Sequence, residues 1–235
     1  MSWFGSFLSS SIGRKTIMSL TGLFLCLFLA VHMSGNLQLF KNDCGQSFNI
    51  YTKFMTNFGP IKIISYVTYF FILLHSFQGI YLAYLNKKAR PINYAQTKAN
   101  QTTWASRSMA LLGTVMLLFI VIHMKSFWFE LKFGTVATVS YDGHEYKDLY
   151  KIVVVAFGQW WYIAFYLFSV VVVGLHLWHG FQSAFQSLGL NHKKYTPLIK
   201  AIGVAFTLII SIGFALQPLY IFLNHASITQ NCLGQ

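Results

Sequence analysis

Charge is scarce in this chain. Only 9% of its 235 residues are charged and only five are acidic, whereas a soluble domain carries about 25% charged residues. With 55% of the residues hydrophobic, an ordinary water-soluble fold is excluded. Cysteine is nearly missing as well. Cys26, Cys44 and Cys232 form no CxxC or CxxCH pattern, which argues against c-type haem attachment, a thiolate zinc site and a disulfide scaffold. There is no cysteine cluster for an iron–sulfur centre and no GxGxxG dinucleotide fingerprint. The apolar runs lack period-2 alternation, so a membrane β-barrel is excluded too.

What is present is long apolar sequence. Five stretches, about 16–40, 61–86, 106–128, 152–187 and 198–223, are long enough to cross hydrocarbon, which takes about 20 helical residues. Gly189 and Pro197 break the chain between the last two. The expected fold is all-α: a single domain over 1–235, built as an integral membrane bundle of five transmembrane helices.

The positive charges are sorted by side. Arg14, Lys15, Lys87, Lys88, Arg90, Lys98, Arg107, Lys193, Lys194 and Lys200 fall on one side, with no acid among them. Lys41, Lys53, Lys62, Lys125, Lys132, Lys147 and Lys151 fall on the other, with all five acids. The positive-inside rule then puts the N-terminus in the cytoplasm and the C-terminus outside. The net charge of +12 reads as topology, and no nucleic-acid partner is expected. The acid-free inner face also suits an acidic partner. The N-terminal segment does not read as a cleavable signal peptide, because its basic pair comes late and its apolar run is too long.

Histidine carries the chemistry. An imidazole in hydrocarbon is costly without a partner, yet His32, His75, His123, His176 and His179 all fall inside predicted helices. Alternating helix direction, at 1.5 Å per residue, places His32 and His123 toward the outer side and His75 and His176 toward the inner side. Two facing histidines at one level suit bis-histidine ligation of a haem slotted between helices. Zinc is less well served, since no intramembrane thiolate or carboxylate completes a site. His75 and His176 each have a glycine four residues on, Gly79 and Gly180. A glycine one turn away admits either a flat macrocycle or a close-packed helix. His179 competes with His176 for the ligand role, and otherwise contacts a propionate, a quinone or another helix. Trp104, Arg107, Arg14 and Lys15 are either propionate partners or topology anchors.

The stretches SSIGRKTIMSLTG, VHMSGNLQLF, LLHSFQGIYLAY, WASRSMALLGTVMLLFIVIHM and GLHLWHGFQSAFQSLG together resemble the di-haem cytochrome b anchor of succinate:quinone oxidoreductases. This is the complex II family that includes quinol:fumarate reductases, and the resemblance is to its single-anchor, five-helix type. It implies two haem b groups between the helices, the inner held by His75 and His176 and the outer by His32 and His123. It implies a flavoprotein subunit carrying FAD and an iron–sulfur subunit docked on the cytoplasmic face of the inner membrane, and a dimer of such heterotrimers is compatible with it. Succinate or fumarate chemistry would belong to the flavoprotein. This subunit would relay electrons to or from a quinone, menaquinone being the usual partner, in the tricarboxylic acid cycle or in anaerobic respiration. One departure is Gly174, where some fumarate reductases carry a glutamate implicated in proton movement. A proton path using that carboxylate is therefore in doubt.

Quinone-site candidates are Asn36, Gln38 and Asn49 on the outer side, and Gln78, Gln182 and Ser183 on the inner side; each serves equally as a helix–helix hydrogen bond. Two other function classes stay open. One is the cytochrome b subunit of a different quinone-linked enzyme, such as a hydrogenase or formate dehydrogenase. The other is a proton-coupled transporter. The second is disfavoured, because no internal repeat is visible and Pro218 falls only near the end of the last span.

Overall fold

The computed structural model describes residues 2–89 and 104–234, with the side chains of Phe4 and of residues 104–106 outside that description. The chain is mostly helical, and five helical segments are long and apolar enough to span a bilayer: Ser11–Phe40, Gly59–Ala89, Arg107–Phe133, Trp160–Ser187 and Thr196–Leu223. It is a multi-pass membrane protein. Large apolar side chains such as Leu27, Ile63, Phe70, Leu111, Val171 and Ile209 are exposed. On a soluble protein such a surface would be an aggregation hazard; in lipid it is the solvated face.

In chain order, a short helix α1 (Trp3–Ser9) leads into α2 (Ser11–Asn36) and a 3-10 turn, Leu37–Phe40. Then follow α3 (Gln46–Asn57), α4 (Gly59–Ala89) and α5 (Trp104–His123). Directly after His123 the backbone becomes a π-helix, Met124–Phe129, and ends in α6 (Glu130–Phe133). Next are strands β1 (Thr138–Tyr141) and β2 (His144–Lys147) and helix α7 (Leu149–Phe157). The chain closes with α8 (Trp160–Ser187), α9 (Thr196–Leu223) and α10 (His225–Cys232).

Three expectations change. The apolar run expected to span from 152 is cut after Phe157. Gly158 and Gln159 form a turn, Gln159 accepts the first N–H groups of α8, and only Trp160–Ser187 is a span. The helix left over, α7, is capped by Asp148, whose side chain accepts from the Lys151 N–H. Second, the fold is not purely α-helical. β1 and β2 pair antiparallel with Tyr141 opposite His144. The two turn residues, Asp142 and Gly143, both have positive φ, as an Asp-Gly hairpin turn requires. Third, Cys44 and Cys232 form a disulfide across 188 residues of sequence. Only Cys26, buried within α2, is a free thiol.

The chain divides into two compact units. The first holds Met1–Phe28, Thr68–Leu117 and Val172–Leu208. Its helices meet through aromatic rings and glycines: Phe24 lies edge-on to Phe71 at 4.9 Å. Phe181 lies so close to Gly203 that a Cβ there would stand 2.7 Å from its ring.

The second unit holds Leu29–Val67, Leu118–Val171 and Ile209–Gln235. Its core is Leu39, Phe48, Leu149, Tyr150, Val153, Val154, Phe157, Tyr162, Tyr166 and Ile221. At its polar centre Asn49 is 1% exposed. The Asn49 amide donates to the Tyr141 hydroxyl at 3.2 Å and to Asp148 at 3.0 Å, and its oxygen accepts from the Tyr150 N–H at 3.0 Å. Asn49 thus ties α3, the hairpin and α7 together. Its hydrogen-bonding capacity is committed there, and it is not available as a quinone ligand.

Candidate functional site

The first unit brings His75 of α4 and His176 of α8 together, with ring centroids 6.3 Å apart and planes at 67°. The second brings His32 of α2 and His123 of α5 together, centroids 5.8 Å apart and planes at 87°. These are the two pairings expected from helix direction. His176 is the ring opposite His75; His179 sits one turn away, partly buried. Among the described residues no group of three or more metal-binding side chains converges. Each site therefore offers two imidazoles, which suits a metal whose other ligands come with it rather than tetrahedral zinc.

Each pair has one ring fixed by a hydroxyl. Thr21, 3% exposed, places its Oγ1 3.1 Å from His75 Nδ1. The same hydroxyl donates back to the Ile17 carbonyl at 2.8 Å and lies 3.1 Å from the Met18 carbonyl. When its single proton goes to the helix, the hydroxyl can accept from His75 Nδ1–H. In that arrangement Nε2 of His75 is the unprotonated nitrogen, the form in which histidine ligates metals. In the other unit His123 Nδ1 lies 3.1 Å from the Tyr166 hydroxyl.

The surroundings of the rings fit a flat macrocycle. Nδ1 of His176 is buried without a hydrogen-bond partner. A Cβ on Gly22 would stand 3.1 Å from His75 Cε1, and one on Gly113 would stand 3.8 Å from His176 Cε1. A Cβ on Gly180 would stand 4.0 Å from His176 Cδ2 and from the Met109 methyl, an ordinary contact, whereas one on Gly79 would stand 3.3 Å from the Met18 methyl. Of the two glycines expected from spacing, Gly79 is the more tightly packed. Thr21, Gly22, Gly113 and Tyr166 were not among the sequence candidates. The only signal for them was a small or hydroxyl residue one helix away from a histidine, which sequence spacing cannot reveal.

The remaining candidates divide. Arg14 donates to the Ser9 carbonyl and lies over the Tyr81 ring at 5.5 Å. Gln78 donates to the Arg14 carbonyl at 3.2 Å. Both therefore fasten helices of the first unit. Lys15 and Arg107 are exposed, Gln182 and Ser183 partly buried; the Trp104 side chain lies outside the described residues. Asn36 ends α2. Gln38 lines a cleft of about 300 Å³ with Ala30, Val31, Ser34, Gly35 and Tyr51, and its Oε1 is buried without a partner. Tyr51 enters because residue 35 is glycine: a Cβ there would stand 2.7 Å from the Tyr51 hydroxyl. Burial raises the Tyr51 phenol above its ordinary pKa, so it holds its proton as a donor at neutral pH. Compared with protein-family models, curated proteins and solved structures, the chain has no match.

Proposed function

We propose that this chain is the di-haem cytochrome b anchor of a succinate:quinone or quinol:fumarate oxidoreductase. In this reading it is a quinone-reactive electron carrier that does not itself act on succinate or fumarate. The observation that carries the reading is the pair of cross-helix imidazole couples, with centroids 6.3 Å and 5.8 Å apart. Two imidazoles gripping one metal from opposite sides, at metal–nitrogen distances of about 2 Å, hold their centroids about 6 Å apart. His75 and His176 would hold one haem, His32 and His123 the other. A haem held between two histidines would supply one-electron transfer there. The protein's part is to hold each imidazole neutral, in one tautomer, in a site dry enough to keep the iron apart from water.

For the quinone, the cleft beside Gln38 and Tyr51 offers what a lipid-soluble ring needs: mostly apolar walls, one donor and one acceptor. Orientation follows from two supports. Ten basic residues on one side favour the cytoplasm for the N-terminus. The disulfide at Cys44–Cys232 favours an oxidising compartment for the opposite side, which supports a reading in which the chain lies in the inner membrane and offers its basic, acid-free face to the flavin and iron–sulfur subunits.

The test is a reduced-minus-oxidised visible spectrum with pyridine haemochrome quantification of the purified complex. Two b haems per chain are expected, together with a flavoprotein and an iron–sulfur subunit by mass spectrometry. Absence of b-type bands would overturn the haem assignment. Haem with hydrogenase or formate dehydrogenase subunits would move the chain to that class.

A further inference from the structure

We propose that Tyr166, backed by Tyr162, is the positioning residue for His123, and that this pair of phenols sets the potential of the haem held by His32 and His123 without touching the other one. The inference rests on the haem reading above and adds residues that reading does not require.

Tyr166 is 5% exposed and Tyr162 7%. They sit one turn apart on α8, and their hydroxyls are 3.1 Å from each other. The Tyr166 hydroxyl also lies 3.1 Å from His123 Nδ1. Tyr166 has one proton for two neighbours. If it gave that proton to His123, the imidazole would carry its hydrogen on Nε2 and could not ligate a metal through that atom. If it gives it to Tyr162, its oxygen accepts from His123 Nδ1–H and Nε2 is left bare. The presence of Tyr162 makes the second arrangement available within the buried site.

Packing holds the phenol in place. The Tyr166 ring lies edge-on to Phe119 at 5.1 Å, to Phe157 at 4.9 Å and to Phe127 at 6.3 Å. Phe119 and Phe127 also flank His123 itself, at 5.6 Å and 5.3 Å. His123 is the last α-helical residue before the π-helix Met124–Phe129, a backbone form that often marks functional positions. The extra residue in that turn changes the angular register of the ring-bearing residues that follow it. The aromatic box around His123 and Tyr166 is built partly from that segment.

An acceptor on Nδ1–H makes the imidazole a stronger donor to iron and favours the ferric form. Removing it weakens that preference and raises the midpoint potential. The experiment is a spectroscopic redox titration of the intact complex carrying Tyr166→Phe, and separately Tyr162→Phe. The component absent from His123→Ala identifies the haem in question. Tyr166→Phe is expected to raise that component's potential by about a tenfold shift in the ferric-to-ferrous ratio, about 59 mV for one electron. Tyr162→Phe, which leaves Tyr166 in place, is expected to give a smaller rise. The component held by His75 and His176 is expected to stay put in both. Equal potentials in wild type and both variants, or a common shift of both haems, would overturn the inference. A wild-type protein without b-type bands would instead overturn the haem reading itself, so the two failures are distinguishable.

Discussion

Replacing Cys232 with serine separates what the disulfide does from what the helices do. Cys44 and Cys232 are 188 residues apart, and in the chain-entropy account a loop that long would stabilise a soluble protein by roughly 5 kcal/mol. That figure assumes an unfolded chain free in water. In lipid the spans remain helical when unpacked, so the chain between the cysteines is already constrained. The tethers that become free are the few residues from Phe40 to Cys44 and from Leu223 to Cys232. A closed loop of about 15 residues corresponds to about 3 kcal/mol, and this is the larger value to expect. The effect should be local. Without the bond, α10 loses its covalent hold, leaving Ile228 and Leu233 to dock by packing on the core that contains Val154 and Ile221. Hydrogen exchange of the Cys232→Ser protein should show α10 amides losing protection by up to about 100-fold, with the amides of α8 and α9 unchanged. Unaltered exchange in α10 would refute the argument. So would alkylation of all three cysteines in the unreduced, denatured wild-type protein, because it would mean that the bond does not form.

Three further outcomes follow from the sites. His75→Ala or His176→Ala should remove one b haem, and His32→Ala or His123→Ala the other, by pyridine haemochrome content; loss of a haem in His179→Ala but not in His176→Ala would reverse the ligand assignment. Thr21→Val keeps the side-chain shape but removes the acceptor for His75 Nδ1 (3.1 Å). The cost of losing one neutral hydrogen bond should be about 1 kcal/mol, a several-fold weaker retention of haem at His75 and His176 in a haem-transfer assay. Gly35→Ala would force Tyr51 out of the cleft, and Gln38→Leu would remove the buried acceptor. Both should raise the KM for quinone several-fold while leaving haem content at two per chain.

Much of the architecture was legible in the sequence because hydrophobic length is a direct physical requirement of the bilayer. The five spans fall where apolar runs predict them, except that α7 was absorbed into the fourth. Its residues are as apolar as a span, since Leu149, Tyr150, Val153, Val154 and Phe157 are buried in protein, and hydropathy alone cannot distinguish burial in protein from burial in lipid. The hairpin had left a sign. Asp142-Gly143 between β-prone residues is the pattern of a two-residue turn, but the short polar segment YDGHEYKD reads equally as a loop. The disulfide left none, because Cys44 and Cys232 meet only when the 3-10 turn after α2 and the end of α10 are brought together. The histidine pairings could be read from the sequence because helix rise is fixed. Their anchors could not, because a hydroxyl one helix away has no fixed spacing from the ring it holds.

Those anchors differ from several other hydroxyls in the spans, and the difference bears on function. Ser19, Ser34, Thr114, Ser169 and Thr207 each donate to a carbonyl four residues back in their own helix. Such bonds satisfy a hydroxyl in hydrocarbon without help from a neighbour, so these residues need no further explanation. Thr21 makes the same back-bond and also reaches His75 on another helix. Tyr166 reaches His123 in the same way and is backed by a second phenol. A hydroxyl that gives its proton to its own helix is free to accept from the imidazole it touches. That arrangement puts the hydrogen on Nδ1 of His75, and the Tyr162 bond permits the same result at His123. A histidine serving as a proton relay must be able to exchange its two nitrogens between donor and acceptor roles, whereas a ligand must keep one lone pair free. The hydroxyl at Thr21 works against the relay and for the ligand, and the same reasoning at Tyr166 makes its hydrogen-bond direction the most informative measurement on this protein.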